Sequence, residues 1–237
     1  MTAFPTIASA ATDIAAGHLS PVALTEACLE RIDRHDATLH AFIRLERDRA
    51  LAAARTAEAE IKEGRRRGVL HGIPFAHKDI YETAGIPTTC HSKLLQDYVP
   101  ARDAFTVARL AEAGIVMLGK LATHEFAIGG PSFDLPWPPA RNPWSPEHFT
   151  GGSSSGTGAG IAAGFMLGAT GSCTGLHPAA CCLLRARWHQ ADLRARQSHR
   201  HSAAGVHARS RRTARVDGGG LRHSPAGHGG PRSSGSG

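Results

Sequence analysis

Lys78 closes the stretch Phe75-Ala76-His77-Lys78-Asp79, directly after the short apolar run Gly72-Ile73-Pro74-Phe75-Ala76. A lysine at a buried strand end can have its pKa lowered by desolvation and serve as a base. Taken alone, an ordinary ion pair with Asp79 is the plainer reading. A second feature is Gly151-Gly152-Ser153-Ser154-Ser155-Gly156. Glycines let the backbone turn sharply, and serines at a helix N-terminus cap it or point hydroxyls at a ligand. Here a flexible linker or a simple cap is the plainer reading. No Gly-Lys-Ser/Thr follows, so the loop is not a phosphate-binding P-loop. The third feature, Asn142-Pro143-Trp144, signals only a turn by itself.

These residues need elements to hold them. Ser20-Pro21 is an N-cap followed by proline at the first helical position, and VALTEACLERI continues with apolar residues at helical spacing. ARTAEAEIKEG is a second helix, ended by Gly64. The run 72–76 predicts a buried strand. Asp103 is expected to cap the helix AFTVARLAEAG, which stops at Gly114, and Ile115-Val116-Met117-Leu118 reads as the next buried strand. The serine loop runs into a small-residue helix, TGAGIAAGFML, and Leu167-Gly168-Ala169-Thr170-Gly171 looks like a further strand. Helix and short apolar strand in alternation predict an α/β fold.

Together the motifs are specific. GIPFAHKDI, DAFTVARLAEAGIVMLGKLATHEFAIGG, NPW and TGGSSSGTGAG, in this order, resemble the amidase signature family, in particular its amidase and glutamyl-tRNA amidotransferase A-subunit branch. The resemblance runs from about residue 6 to 175 and implies an α/β fold with a mixed sheet flanked by helices. It also implies hydrolysis of a carboxamide to a carboxylate and ammonia, through a Ser–cis-Ser–Lys triad. By motif, Lys78 matches the family's lysine and Ser153 its bridging cis-serine. Ser154, Gly151, Gly152, Thr174 and Gly175 fall in the loops around substrate and oxyanion. A serine hydroxyl is a poor nucleophile until a base takes its proton, and a neutral lysine can do so through a second hydroxyl. Backbone N–H groups of the nucleophile's glycine loop hold the oxyanion in such a design. No cofactor or metal is implied. The implied partners are a small-molecule amide and, in the amidotransferase branch, the other subunits of that complex.

The family nucleophile lies in a motif G-S-D-T-G-G-S-I-R, 24 residues after the cis-serine, where this chain has His177. The chain reads Gly171-Ser172-Cys173-Thr174-Gly175-Leu176-His177-Pro178. Shifting the reading frame one nucleotide downstream from the Leu176 codon permits S-I-R at 176–178. It then permits P-A-A-C-C through Leu184 and the family's K-P-T-Y-G-R-V further on. Residues from about 176 onward are therefore expected to be translated off frame, with the slip between Ser172 and Leu176. The chain as written would lack its nucleophile, and little or no amidase activity is expected of it.

Composition breaks at the same place. Of the formal net charge of +7, residues 1–175 hold −2 and residues 176–237 hold +9, the latter with 11 arginines and no lysine. Residues 1–175 are read as the N-terminal part of the domain, and 176–237 as a basic tail too poor in apolar residues to fold. A basic-tail nucleic-acid-binding protein is the rival of another class, through clusters such as Ser210-Arg211-Arg212. An off-frame reading of a GC-rich gene gives the same arginine-rich composition, so nucleic acid is not the expected partner. The seven tail histidines with Cys173, Cys181 and Cys182 lack paired C-x-x-C spacing, so no metal site is expected. His77, His91 and His124 are read as structural. Five cysteines without framework spacing fit a reducing cytoplasm. No apolar run of membrane-spanning length and no secretory leader is read in the sequence, so no membrane partner is expected.

Overall fold

Thr6 and Ser20 open the first two helices of the computed structural model, which describes residues 4–172. In α1 (Ile7–Ala15), Thr6 and Ser9 form a reciprocal capping box, a start signal that lies ahead of the first predicted helix. In α2 (Pro21–Leu39), Ser20 Oγ accepts from the Ala23 N–H at 3.1 Å and Pro21 takes the first turn, as its sequence predicts. β1 (Phe42–Leu45) follows, then α3 (Arg47–Lys62), which starts earlier than the predicted Ala54. β2 (Pro74–Lys78) is buried throughout and extends two residues past the predicted run, so Lys78 belongs to the strand itself. The remaining elements are α4 (Phe105–Glu112), β3 (Val116–Leu121), the hairpin β4 (Arg141–Asn142) and β5 (Ser145–Phe149), α5 (Ser155–Ala163) and β6 (Gly168–Ala169).

Two local expectations are corrected. Asp103 does not cap α4, because Ala104 occupies the cap position and Asp103 stands one residue too early. Its Oδ1 instead accepts from the Ala84 N–H at 2.7 Å. The small-residue helix ends at Ala163, since Gly164 turns left-handed at φ 70° and releases Phe165 and Met166 into the core.

β1, β3, β2 and β6 form one sheet in that order, with β1 antiparallel to β3 and the other pairs parallel. The sheet is mixed, as expected. Cys28, Leu29 and Ile32 of α2, Ala50 and Ala54 of α3 and Ala159 of α5 share one core with Ala76, Val116, Leu118 and Leu121 of the sheet. The alanines keep α3 close to the strands. A second cluster joins Ala10 and Ile14 of α1 to Leu24 and Ile73. Among the described residues no helix is long and apolar enough to cross a membrane.

The pairing of β2 with β3 contains a bulge. Phe75 faces Met117, His77 faces Lys120 and Lys78 faces Leu121, so β3 carries one extra residue across this interval. His77 and Lys120 therefore share one face of the sheet, and Lys78 projects from the other.

The first turn of α5 touches backbone directly. The Gly156 N–H donates to Ala122 O at 2.9 Å, and a Cβ at Gly156 would overlap the Ala41 carbonyl oxygen. Backbone cannot rotate away as a side chain can. Gly156→Ala is expected to destabilise the fold by about 2–3 kcal/mol, read as a lowered urea midpoint.

Candidate functional site

Lys78 is carried to the site by the last position of β2, between β3 and β6, and is fully buried. Its backbone N–H donates to Thr170 Oγ1 at 2.9 Å, which anchors the strand end to the segment following β6. Its Nζ donates to Ser153 Oγ at 2.8 Å and to Ser172 Oγ at 2.7 Å. The structure thus joins two residues 75 positions apart that the sequence assigns to one site. Asp79, the neighbour offered as an ion-pair partner for Lys78, is engaged elsewhere.

Ser153 sits in the tight passage before α5. The Gly152–Ser153 peptide is cis. The Ser153 carbonyl accepts from the His124 N–H at 3.0 Å and from Thr123 Oγ1 at 2.9 Å. The His124 ring packs on Gly152 where a Cβ would stand, so glycine is required by space. His124 Nδ1 donates to Gly129 O at 3.0 Å, and burial, opposed by this bond, holds the ring's pKa below its ordinary value. Gly151 O accepts from Thr150 Oγ1 at 2.9 Å.

Ser154 precedes α5 but makes no side-chain cap to it. Its Oγ donates to Ser172 O at 2.8 Å and accepts from the Ser172 N–H at 3.0 Å. The linker or simple-cap reading of the serine loop therefore gives way to a clasp between the loop and the segment after β6. Thr157 Oγ1 adds a bond to Thr170 O at 2.8 Å, and Tyr81 OH one to Gly171 O at 3.0 Å. Asn142-Pro143-Trp144 forms the expected turn, joining β4 to β5, with Asn142 Oδ1 accepting from the Trp144 N–H at 3.0 Å.

Behind Lys78 lies a buried ionic clamp that sequence reasoning missed. Lys120 Nζ stands 3.1 Å from Asp79 Oδ1, both side chains fully buried. Nζ also donates to Tyr81 O at 2.8 Å and Thr88 Oγ1 at 2.7 Å. Asp79 Oδ2 accepts from the Thr89 N–H at 2.8 Å and Thr89 Oγ1 at 2.6 Å. Burial pushes the Asp79 carboxyl up and the Lys120 amine down, and their mutual attraction opposes both shifts. The clamp closes the loop that leaves Lys78. A lysine inside the otherwise apolar run Ile115–Leu121 was the available signal.

Of the three histidines, His91 and His124 each bond a backbone carbonyl. His91 Nε2 bonds Trp137 O at 3.0 Å, and its Nδ1 accepts from the Thr123 N–H at 3.3 Å. His77 packs against Phe75, with ring centroids 5.8 Å apart. Burial, reinforced by the Lys120 charge, pushes the His77 imidazole from 6.5 down to about 4. Between these values the unfolded chain binds a proton that the folded chain refuses. The stability present above 6.5 is therefore lost as the pH falls through this window, by about 3 kcal/mol. His77→Leu is expected to flatten this part of the pH–stability curve, measured by urea unfolding between about pH 7 and pH 4. Cys28 and Cys90 are free thiols, and burial raises Cys28 to about 12.

Thr174 and Gly175, assigned by motif to the oxyanion loop, lie outside the described residues, as do His177 and the whole basic stretch 176–237. Ser172 was not singled out from the sequence, although it falls within the quoted nucleophile motif. What is described is an amine held between two hydroxyls, one of them deeply buried, on a scaffold that fixes all three. Such a set can move a proton between hydroxyl and amine.

The same arrangement of chain occurs in known proteins. The family model described as Amidase matches residues 23–185, a span reaching past the break in composition. The A subunit of glutamyl-tRNA(Gln) amidotransferase from Chloroflexus aurantiacus is 43% identical over 180 residues, covering 75% of this chain and 37% of that protein. Its counterpart from Azotobacter vinelandii is 46% identical over 170 residues, 72% of this chain and 35% of its own length. Among solved structures, the peptide amidase of Stenotrophomonas maltophilia superimposes with a TM-score of 0.64 at 38% identity, covering 69% of this chain and 36% of that one. Fatty acid amide hydrolase gives 0.66 at 26% identity, over 70% of this chain and 29% of that one. The chain spans little more than a third of the length of the curated relatives it matches. The order of the motifs, the mixed sheet and the lysine on its serine loop agree with these matches, and the chain belongs to the amidase signature family.

Proposed function

We propose that residues 1–175 carry the base and relay of an amide-hydrolysing site, with Lys78 as base and Ser153 as the hydroxyl that passes the proton. The observation that carries this reading is the 2.8 Å bond between Lys78 Nζ, at the end of β2, and Ser153 Oγ, in the loop before α5, both residues buried. In this scheme a neutral Lys78 takes a proton through Ser153 from the attacking serine and returns it to the departing ammonia. Gly151, Gly152 and Ser154 shape the serine loop, and Thr174 and Gly175 belong to the loop that receives the oxyanion. The substrate class is a carboxamide, converted to carboxylate and ammonia, with no cofactor or metal taking part.

The attacking serine belongs to the frame shifted by one nucleotide from codon 176, and residues 176–237 are the off-frame product. Two measurements test this. Sequencing the gene across codons 170–180 should reveal the slip, and an intact downstream frame without S-I-R would sink it. Ammonia release from simple carboxamides should be absent in the chain as given and present once the frame is restored. Turnover by the present chain that disappears in Lys78→Ala would overturn its proposed inactivity.

A second reading is favoured by the curated relatives, which are named as the A subunits of amidotransferases. Under it, the restored protein works with partner subunits and takes ammonia from glutamine. Glutaminase activity that depends on co-purified subunits separates this reading from a free-standing amidase.

A further inference from the structure

Lys78 touches two hydroxyls, and the assignment above uses only one of them. Ser172 Oγ lies 2.7 Å from Nζ, as close as Ser153 Oγ on its other side. The two serines differ in access. Ser153 is 4% exposed, whereas Ser172 is half-buried and follows the exposed Gly171. Ser172 is also held in place. Its N–H and its carbonyl are both bonded to Ser154 Oγ, and Tyr81 OH fixes the preceding carbonyl. A hydroxyl on a buried lysine, with its backbone pinned and one side open, has the parts of a serine–lysine nucleophile.

We propose that Ser172 is a nucleophile of this chain, reacting with activated acyl and phosphonyl electrophiles with Lys78 as its base. The position is distinct from that of the family nucleophile, which falls at His177. The proposal rests on the reading of Lys78 as a base but needs no residue beyond 172. With an alkyl fluorophosphonate, the Lys78 amine takes the Ser172 Oγ proton while Oγ bonds to phosphorus. The P–F bond breaks and fluoride leaves. Lys78 then releases the proton to solvent. The product is a stable phosphonyl-serine, so the reaction runs once per chain.

The test treats the full 237-residue chain with an alkyl fluorophosphonate and reads the adduct by intact mass and peptide mapping. One adduct per chain, located on Ser172, is expected. Ser172→Ala should abolish it, and Ser172→Thr, which keeps a hydroxyl, should retain slower labelling. Lys78→Met should slow labelling by about 100-fold or more, the usual contribution of a general base. The wild-type rate should rise with pH as the amine deprotonates, and that limb should vanish in Lys78→Met. Circular dichroism verifies that each variant is folded. No adduct on the wild-type chain, an adduct on Ser153 or beyond residue 172, or labelling indifferent to Lys78→Met each overturns the proposal. Carboxamide turnover by the frame-restored protein is a separate readout. Labelling without turnover leaves Ser172 standing and removes the amidase reading, and turnover without labelling does the reverse.

Discussion

Lys78→Ala in the frame-restored protein is expected to lower kcat/KM for a simple carboxamide by about 10⁴-fold or more, with the loss carried in kcat. The magnitude follows from what one amine does at this position. It receives the proton of the attacking hydroxyl, returns it to the leaving nitrogen, and orients Ser153 through the 2.8 Å bond. Groups that act as a unit fail together, so removing one costs nearly as much as removing all. Lys78→Arg should be about as inactive, because a guanidinium stays protonated and cannot accept a proton at neutral pH. Steady-state ammonia release at saturating amide measures both variants. A variant retaining a tenth of the wild-type kcat would remove Lys78 from the base role.

Breaking the ionic clamp is expected to have the largest effect on stability. Lys120→Met leaves the Asp79 carboxylate in the interior without its counter-charge, and Asp79→Leu does the same to the Lys120 ammonium. Removing one partner of a buried pair destabilises by about 3–5 kcal/mol, a large part of the stability of an ordinary domain. The Asp79 substitution also deprives Thr89 of the oxygen that its N–H and hydroxyl share. Replacing both charges together should recover much of the loss, since two apolar side chains leave no uncompensated ion. Urea unfolding of the two single variants and the double variant gives the coupling directly. Single-variant losses under about 1 kcal/mol would show that the clamp is not what fixes the loop after Lys78.

Much of the fold was legible because its strongest elements declare themselves locally. Ser20-Pro21 starts α2, and apolar runs between glycines mark β2 and β3. The elements that escaped are short or depend on distant partners. β1 has four residues and β4 two, too few for a periodic pattern to emerge, whereas β6 falls inside the predicted strand 167–171. Asp103 shows the limit of a capping rule, since a shift of one position sent its carboxylate to Ala84. At the site, Lys78 and Ser153 were legible through motif order alone. Their contact spans 75 residues, and nothing local in either segment encodes it. Ser172 carries no local signature of its role, and the apolar run around Lys120 marks that lysine as unusual without naming its partner. Only the tertiary fold gives them partners.

The bulge in β3 has an electrostatic consequence. In an unbroken ladder, Met117 opposite Phe75 would put Lys120 opposite Lys78, on the same face and one strand spacing apart, about 4.8 Å. Two amines side by side in a dry interior would each suppress the other's charge, and a single carboxylate would leave one of the two charges uncompensated. The extra residue turns Lys120 over to the Asp79 side and leaves Lys78 among hydroxyls. One irregularity in hydrogen-bond register thus sorts two chemically identical side chains, one into a fixed cation and the other into a position suited to proton exchange.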